Sequence, residues 1–320
     1  MSPKERLNDG IAAARALVAK RDLSKAEALI AELVADQDLC SVGPHTAIGL
    51  PRRLHSVLLH LAKAQGDVVR RAGYQFHLVP PVDVLAPLFS YSAAEKRVMN
   101  IANRQPVPRT IHQIWIGSMP VPTASDAWQN HADAQGYQYR LWREDDLTAL
   151  GLLTNPVFAA MRAKGDFPGA VDVARYAILA AEGGIYLDCD WYPARDDVGF
   201  HDLLPLVGMT VMAEDTPRLT GQGGLLLANS FIATPPGHPA VHRINASLAA
   251  SLKALPDAPA WWSTGPLVFT LAARGGAVSV APQSLVAANL PPGSPFAKVQ
   301  ALQMRAVASD LGLMIAWKSW

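Results

Sequence analysis

The sequence predicts an α/β fold preceded by a helical region. Two observations carry that expectation. Short apolar, β-prone runs at 109–117, 137–142, 185–187, 209–213 and 229–234 are separated by stretches with helical spacing. Residues 1–105 read as mostly helical, with a Gly/Pro-bearing loop over 40–51 and a break at Val79-Pro80-Pro81-Val82. Between them the domains divide at 1–105, a helical N-terminal region, and 106–320, the α/β part that begins near Pro108.

Residues 3–36 read as two helices. Arg6, Ile11, Ala14 and Leu17 mark the inner face of the first, and Ala26, Leu29, Ile30 and Leu33 that of the second. Asp22 gives the turn and cap between them. Arg52 to Arg71 reads as a third helix with Leu54, Val57, Leu58 and Leu61 inward, and 93–103 as a further one. His45, His55, His60 and His77 form no metal-like cluster. His55 and His60 stand five apart and do not share a helical face, so all four read as ordinary core or surface histidines.

RTIHQIWIG at 109–117 is a strand followed by a glycine turn, and YQYRLW at 137–142 is a second strand. His112, on the first, either satisfies the sheet end or approaches a ribose. The charge run 143–146 reads as a solvated helix start. Residues 147–164 are helical with a break at Asn155-Pro156. A helix over 170–181 follows, entered through Asp166-Phe167-Pro168-Gly169. Gly221 to Gly224 is a glycine loop without the Lys-Ser/Thr that a phosphate-binding P-loop requires. Pro239 argues against a helix through His238, so His238 and His242 are discounted as a zinc pair.

The chain has 28 basic and 27 acidic residues, a balance that argues against a general nucleic-acid binder. Residues 1–109 carry 15 basic and 10 acidic groups, net +5, and the remainder 13 and 17, net −4. The basic part offers a face for an anionic partner or peripheral contact with a membrane surface, or is simply a solvated helical surface. Cys40 and Cys189 do not read as a disulfide framework, which fits a reducing compartment. No apolar run approaches the ~18–20 residues that span a bilayer, so no transmembrane segment is expected. The first residues lack the apolar core of a signal peptide. The expected location is cytoplasmic.

The chemistry concentrates in GGIYLDCD at 183–190. Gly183-Gly184 ends the preceding helix, because glycine enters the left-handed region at no steric cost. Ile185-Tyr186-Leu187 reads as a buried strand. Side chains alternate along an extended chain, so Asp188 and Asp190 point one way and Cys189 the other. Two carboxylates at the end of a buried strand repel one another and favour a cation between them. Hard oxygen ligands of this kind suit Mn²⁺ or Mg²⁺, with water or a phosphate completing the shell. A bare Asp-x-Asp also fits a solvent-facing strand end. Upstream, Asp172, Arg175 and Tyr176 lie at i, i+3 and i+4 and share one helical face.

The run VDVARYAILAAEGGIYLDCD resembles the core signature of glycosyltransferase family 32 and its DxD-containing relatives, including fungal initiating mannosyltransferases, capsule-type sugar transferases and glucosylating bacterial toxins. The shared pattern is Asp-x-x-Arg-Tyr, a short helix, then Gly-Gly-Ile-Tyr-x-Asp-x-Asp. The resemblance covers roughly residues 108–320. It implies a GT-A type Rossmann-like nucleotide-sugar-binding domain with a mixed sheet, preceded by a small helical domain. It further implies a retaining, metal-dependent hexosyltransferase for polysaccharide or other glycan synthesis. The donor would be a nucleotide diphosphate sugar, and the acceptor a hydroxyl on a carbohydrate, lipid-linked glycan or protein.

The resemblance also implies roles. Trp115, in RTIHQIWIG, would stack on the nucleotide base, unless it is a core aromatic. Asp188 and Asp190 would hold the metal. Asp172 would address the donor sugar and Arg175 either Asp172 or a donor hydroxyl, with Tyr176 beside them, and Asn229 the sugar and diphosphate. Ser319 and Trp320, in the terminal WKSW, would close over the donor; the His usual upstream is replaced here by Met314-Ile315-Ala316. Thr264 in Thr-Gly-Pro is either helix punctuation or a substrate contact. Two other classes stand beside this reading: a metal-dependent nucleotide-sugar hydrolase using the same site, and a non-catalytic adaptor working through the N-terminal helices.

Overall fold

A computed structural model describes residues 2–46, 48–79, 82–214, 226–256, 258–310 and 312–320. The glycine loop expected at 221–224 lies outside the described residues. The chain divides into two compact units. Among the described residues, one runs up to Val82 and the other takes 83–214 with the residues from Leu227 on. The helical region expected over 1–105 is thus shared between the two.

In the first unit the helices are Pro3–Ala19, Leu23–Ala35, Gln37–Cys40, Arg52–Gln65 and Val68–Leu78. Leu7, Ile11, Ala14 and Val18 form the buried stripe of the first. Arg6, expected on that face, instead reaches Asp36 at 3.3 Å. A guanidinium has a better partner in a carboxylate than in the apolar core around Ile30, Leu33, Leu54 and Val57. The single helix expected over 52–71 is two. Gly66 closes the first in the left-handed region at φ +71. Asp67 then starts the second by accepting a hydrogen bond from the Arg70 amide at 2.9 Å.

The second unit is mixed α/β, as its strand and helix alternation requires. Its strands are β1 Thr110–Ile114, β2 Gln138–Trp142, β3 Gly184–Leu187, β4 Trp191–Pro193, β5 Thr210–Ala213, β6 Leu227–Thr234, β7 Ser279–Val280, β8 Val286–Asn289 and β9 Met314–Ala316. Six form one sheet in the order β2-β1-β3-β6-β5-β7. β1 pairs in parallel with β2 and β3, whereas β6 runs antiparallel to both β3 and β5. A second sheet, β4-β9-β8, ties the last strand to the segment just past Asp190.

Two crossovers fix where a site can form. The helix Thr123–Gln135 carries the chain from β1 to β2, and the helix Phe167–Glu182 returns it to β3 on the other side of β1. The strand order therefore reverses at β1, and the crevice beyond the carboxyl ends of β1 and β3 is the topological switch point. The helix Phe167–Glu182 starts where the Asp166 carboxylate accepts from the Gly169 amide at 2.9 Å, with Pro168 in its first turn. It is an almost wholly buried helix: Ala170, Val173, Ala174, Ile178 and Leu179 are inside, and so are Asp172, Arg175 and Tyr176.

The helix-to-strand turn is one that only glycine fits. Gly184 sits at φ +92, and a β-carbon there would stand 2.8 Å from both His112 Nε2 and the Thr110 carbonyl oxygen. Gly151 has a similar φ of +70 but open space where its β-carbon would go. Gly151→Ala should therefore cost about 1 kcal/mol, the strain alone. Gly184→Ala should cost more than twice that, because backbone and imidazole must also shift. Differential scanning calorimetry of the two variants checks the order; equal melting shifts would refute the collision at Gly184.

Candidate active site

β3 ends at Leu187, and residues 188–190 form a turn rather than continuing the extended chain. The strict alternation expected for Asp188, Cys189 and Asp190 therefore does not apply. The turn is pinned by the Asp188 amide on the Ser230 carbonyl at 2.9 Å and the Trp191 amide on the Asp188 carbonyl at 3.2 Å. Cys189 is buried and donates its Sγ–H to the Ile114 carbonyl, 3.4 Å away. Burial, with the two flanking carboxylates, pushes its thiol up to about 12, so it is inert near neutral pH.

A cavity of about 470 Å³ opens at the switch point. Ile114 to Met119 line it from the end of β1, and Tyr186, Asp188, Cys189 and Asp190 from the end of β3. Phe167, Pro168, Val171 and Arg175 line it from the long helix, and Lys318 and Trp320 from the C-terminal segment. Gly117, in the loop after β1, donates its amide to Glu144 Oε1 at 2.7 Å. One carboxylate of the charged run 143–146 thus anchors the cavity wall instead of only solvating a helix start.

Arg175 is the hub of the site. Its Nη2 stands 3.1 Å from Asp172 Oδ1 and 3.1 Å from Asp188 Oδ1. Nη1 donates to the Asn229 carbonyl at 2.5 Å, and the guanidinium lies over the Tyr186 ring, 4.6 Å from its centroid. Burial works against the charge, yet Asp188, Tyr186 and Asp172 more than offset it and hold Arg175 above its ordinary range. The Tyr186 hydroxyl donates to Asp188 Oδ1 at 2.7 Å.

Asp172 lies behind Arg175. It is 6% exposed and does not line the cavity. Its Oδ1 accepts from Asn229 Nδ2 at 2.8 Å, and its Oδ2 from Thr264 Oγ1 at 2.9 Å. Asn229 Nδ2 also donates to the Tyr176 hydroxyl at 3.0 Å, which itself donates to the Thr264 carbonyl at 3.0 Å. Burial pushes the Asp172 carboxyl up to about 6, against the pull of Arg175 and the two hydrogen bonds, so it is still ionised at pH 7.

The structure therefore brings Trp115, Arg175, Asp188, Asp190 and Trp320 to one cavity, and places Asp172, Tyr176 and Asn229 in the buried network behind it. Trp115 donates its indole N–H to the Met119 carbonyl at 2.9 Å, and its ring meets that of Trp320 edge-on at 4.9 Å. Ser319 is exposed and does not line the cavity. Lys318 and Tyr186 are among the cavity residues that sequence reasoning left without a role. Both lie inside motifs it singled out, but nothing in their spacing says which way they face.

The carboxylate pair suits a divalent cation. Burial and the neighbouring Asp188 charge push the Asp190 carboxyl up to about 6, with Lys318 pulling the other way. The mutual repulsion is what a hard cation relieves. Among the described residues no group of three or more His, Cys, Asp or Glu assembles as a metal cage. Asp188 and Asp190 would thus be the protein's ligands, and the other positions are left to water and substrate oxygens.

His112 serves the sheet end. Trp142 Nε1 donates to its Nδ1 at 3.0 Å, so Nε2 carries the proton and donates to the Gly183 carbonyl at 3.0 Å. Burial pulls its imidazole down to about 4. The unfolded chain, with an ordinary imidazole, binds the proton first as pH falls. The group's stabilisation is therefore complete above about pH 6.5 and is lost progressively down to about pH 4, by up to roughly 3 kcal/mol. A ¹³C-resolved NMR titration of His112 should show it neutral at pH 5.5; a midpoint near 6.5 would contradict the buried tautomer.

The helix Pro239–Ala254 begins after His238, whose side chain caps it by accepting from the Ala240 amide at 3.2 Å. No helix among the described residues is long and apolar enough to cross a membrane.

Among solved structures, one described as PaToxG Glycosyltransferase is similar to this chain at 19% identity and a TM-score of 0.42. The likeness covers 56% of this chain and 76% of that one. No curated protein matches the chain. Residues 122–203 match the family described as the glycosyltransferase sugar-binding region containing DXD motif. That segment includes the whole of the helix Phe167–Glu182, the glycine pair and the Asp188–Asp190 turn, so the likeness to that family's sugar-binding region lies on the helix and turn that carry Arg175 and the carboxylate pair.

Proposed function

We propose that the chain transfers a hexose, with retention of anomeric configuration, from a nucleotide diphosphate sugar to a hydroxyl acceptor such as a glycan, a lipid-linked glycan or a protein. The observation that carries this reading is one cavity that holds a carboxylate pair, two cationic side chains and two tryptophans. Those are the groups that a metal-bound diphosphate and a nucleobase require. On the sequence grounds above, the reaction is placed in the cytoplasm, in glycan or polysaccharide synthesis.

Each residue's proposed part follows from its position. Trp115 and Trp320 offer aromatic surface for the base, a contact of roughly 1–3 kcal/mol. Asp188 and Asp190 hold Mn²⁺ or Mg²⁺. A divalent cation bound there supplies positive charge to the departing diphosphate. Arg175 and Lys318 add charge from the protein beside the carboxylate pair, where negative charge grows as the glycosidic bond breaks. Asp172, Tyr176 and Asn229 act on Arg175 from behind. Asp172 is therefore assigned to positioning rather than to direct contact with the sugar.

No protein nucleophile is assigned. Among the described residues the carboxylates lining the cavity are Asp188 and Asp190, and both are committed to the cation. Same-face attack, with a leaving-group phosphate oxygen taking the acceptor's proton, keeps the configuration without one.

A mass-spectrometric screen of nucleotide sugars with Mn²⁺ identifies the donor. With that donor, Asp190→Ala should lower turnover at least a hundredfold, ~3 kcal/mol at ~1.4 kcal/mol per decade, and remove the Mn²⁺ dependence of nucleotide binding. Cys189→Ser, which keeps a donor for the Ile114 carbonyl, should stay within a few fold of wild type. Unchanged turnover in Asp190→Ala would sink the metal assignment. Asp172→Asn should also lower transfer about a hundredfold and weaken affinity for the bare nucleoside diphosphate, because Arg175 loses its aim at the diphosphate. Slow transfer with unchanged nucleoside diphosphate affinity would mean that Asp172 acts on the sugar instead.

A further inference from the structure

Thr264 sits in the short segment between the helices Ala260–Ser263 and Pro266–Arg274. A Thr-Gly-Pro there has an obvious reading as helix punctuation, and an exposed hydroxyl would have a second as a substrate contact. The structure fits neither alone. Thr264 is fully buried and does not line the cavity. Both of its polar ends face the network behind Arg175: Oγ1 donates to Asp172 Oδ2 at 2.9 Å, and the carbonyl accepts from the Tyr176 hydroxyl at 3.0 Å.

The geometry leaves Asp172 few alternatives. Its Oδ1 is shared by Asn229 Nδ2 and Arg175 Nη2, which approach from β6 and from its own helix. Thr264 is the side-chain donor on the other oxygen. Gly265 keeps the backbone close, since a β-carbon there would stand 3.1 Å from Asp172 Oδ2. The carboxylate plane is therefore set by two donors on Oδ1 and by the Thr264 hydroxyl on Oδ2. That plane decides where Arg175 Nη2 can sit between Asp172 and Asp188, 3.1 Å from each.

We infer that the Thr264 hydroxyl is a positioning group for the transfer reaction: by holding Asp172 it aims Arg175 at the cavity and keeps one guanidinium nitrogen shared with Asp188. This rests on the transferase reading above. Without the hydroxyl, Asp172 can rotate about its side-chain torsion. Arg175 then follows Asp172 or moves toward Asp188, and its charge is misplaced where the diphosphate departs.

The test compares Thr264→Val, which keeps the shape and loses the donor, with Thr264→Ser, which keeps the donor. Thr270→Val is the structural control. That buried hydroxyl donates to the Pro266 carbonyl at 2.6 Å and accepts from the Leu227 amide at 2.8 Å, with no bond to Asp172. With Mn²⁺ and the donor from the screen, Thr264→Val should lower kcat at least tenfold while KM changes less than threefold. Thr264→Ser should return kcat to within threefold of wild type, and Thr270→Val should keep it there despite a lower melting temperature. A second readout needs no substrate. The Arg175 Nε–H resonance, assigned by its loss in Arg175→Lys, should shift in Thr264→Val and return in Thr264→Ser.

An unmoved Arg175 resonance, or kcat within threefold of wild type in Thr264→Val, would overturn the inference. So would equal losses in Thr264→Val and Thr270→Val, which would make both effects merely structural. If wild-type protein turns over no nucleotide sugar, the transferase reading fails first and this inference with it. A wild type that is active beside an active Thr264→Val defeats this inference alone.

Discussion

One guanidinium, buried and shared by two carboxylates, is the constraint on which the site depends. A charge that is 4% exposed cannot persist in a protein interior unless its donors are matched. Arg175 meets that requirement with Asp172, Asp188, the Asn229 carbonyl and the Tyr186 ring, which come from the long helix, the end of β3 and β6. The same requirement fixes the shape of the cavity wall. Removing any one partner leaves another buried and unpaired, so the network behind the wall is as restricted in its chemistry as the wall itself.

Backbone topology puts that guanidinium where it is useful. Because β2 and β3 flank β1 on opposite sides, the helix Phe167–Glu182 returns over the crevice at the carboxyl ends of β1 and β3. The glycine pair at 183–184 turns the chain from that helix into β3 in a space already taken by His112 and Pro236. The turn after Leu187 then presents Asp188 and Asp190 beside Arg175. β4 and β9 bring the C-terminal segment back to the same place, with the Trp317 amide on the Asp190 carbonyl at 2.7 Å. Lys318 and Trp320 reach the cavity through that pairing.

Much of this was legible in the sequence, for physical reasons that can be named. The helix at 167–182, the buried strand after two glycines and the carboxylate pair follow from local rules: apolar spacing, glycine's freedom and chain direction. What was not legible depends on neighbours distant in the chain. Helical spacing put Asp172, Arg175 and Tyr176 on one face, but could not say that the face would split. Arg175 reaches the cavity, while Asp172 turns to Thr264 and Asn229, 92 and 57 residues away. In the helical unit, Leu7 rather than Arg6 faces inward, a shift of one position that apolar spacing alone does not resolve. The break at Gly66-Asp67 was missed because the apolar pattern continues across it, although a C-terminal glycine followed by an Asp cap was there to be read. The turn at 188–190 replaced an expected extension because the Asp188 carbonyl accepts from the Trp191 amide, while the Asp188 amide makes the last bond of the ladder to β6 at Ser230.

The most direct measurement is turnover of the screened donor by Arg175→Gln, with the fold followed by near-ultraviolet circular dichroism. If Arg175 is the shared charge that supports the departing diphosphate, the folded variant should retain its tertiary signal and lose at least a hundredfold in kcat. A folded Arg175→Gln protein with kcat within threefold of wild type would contradict that central role.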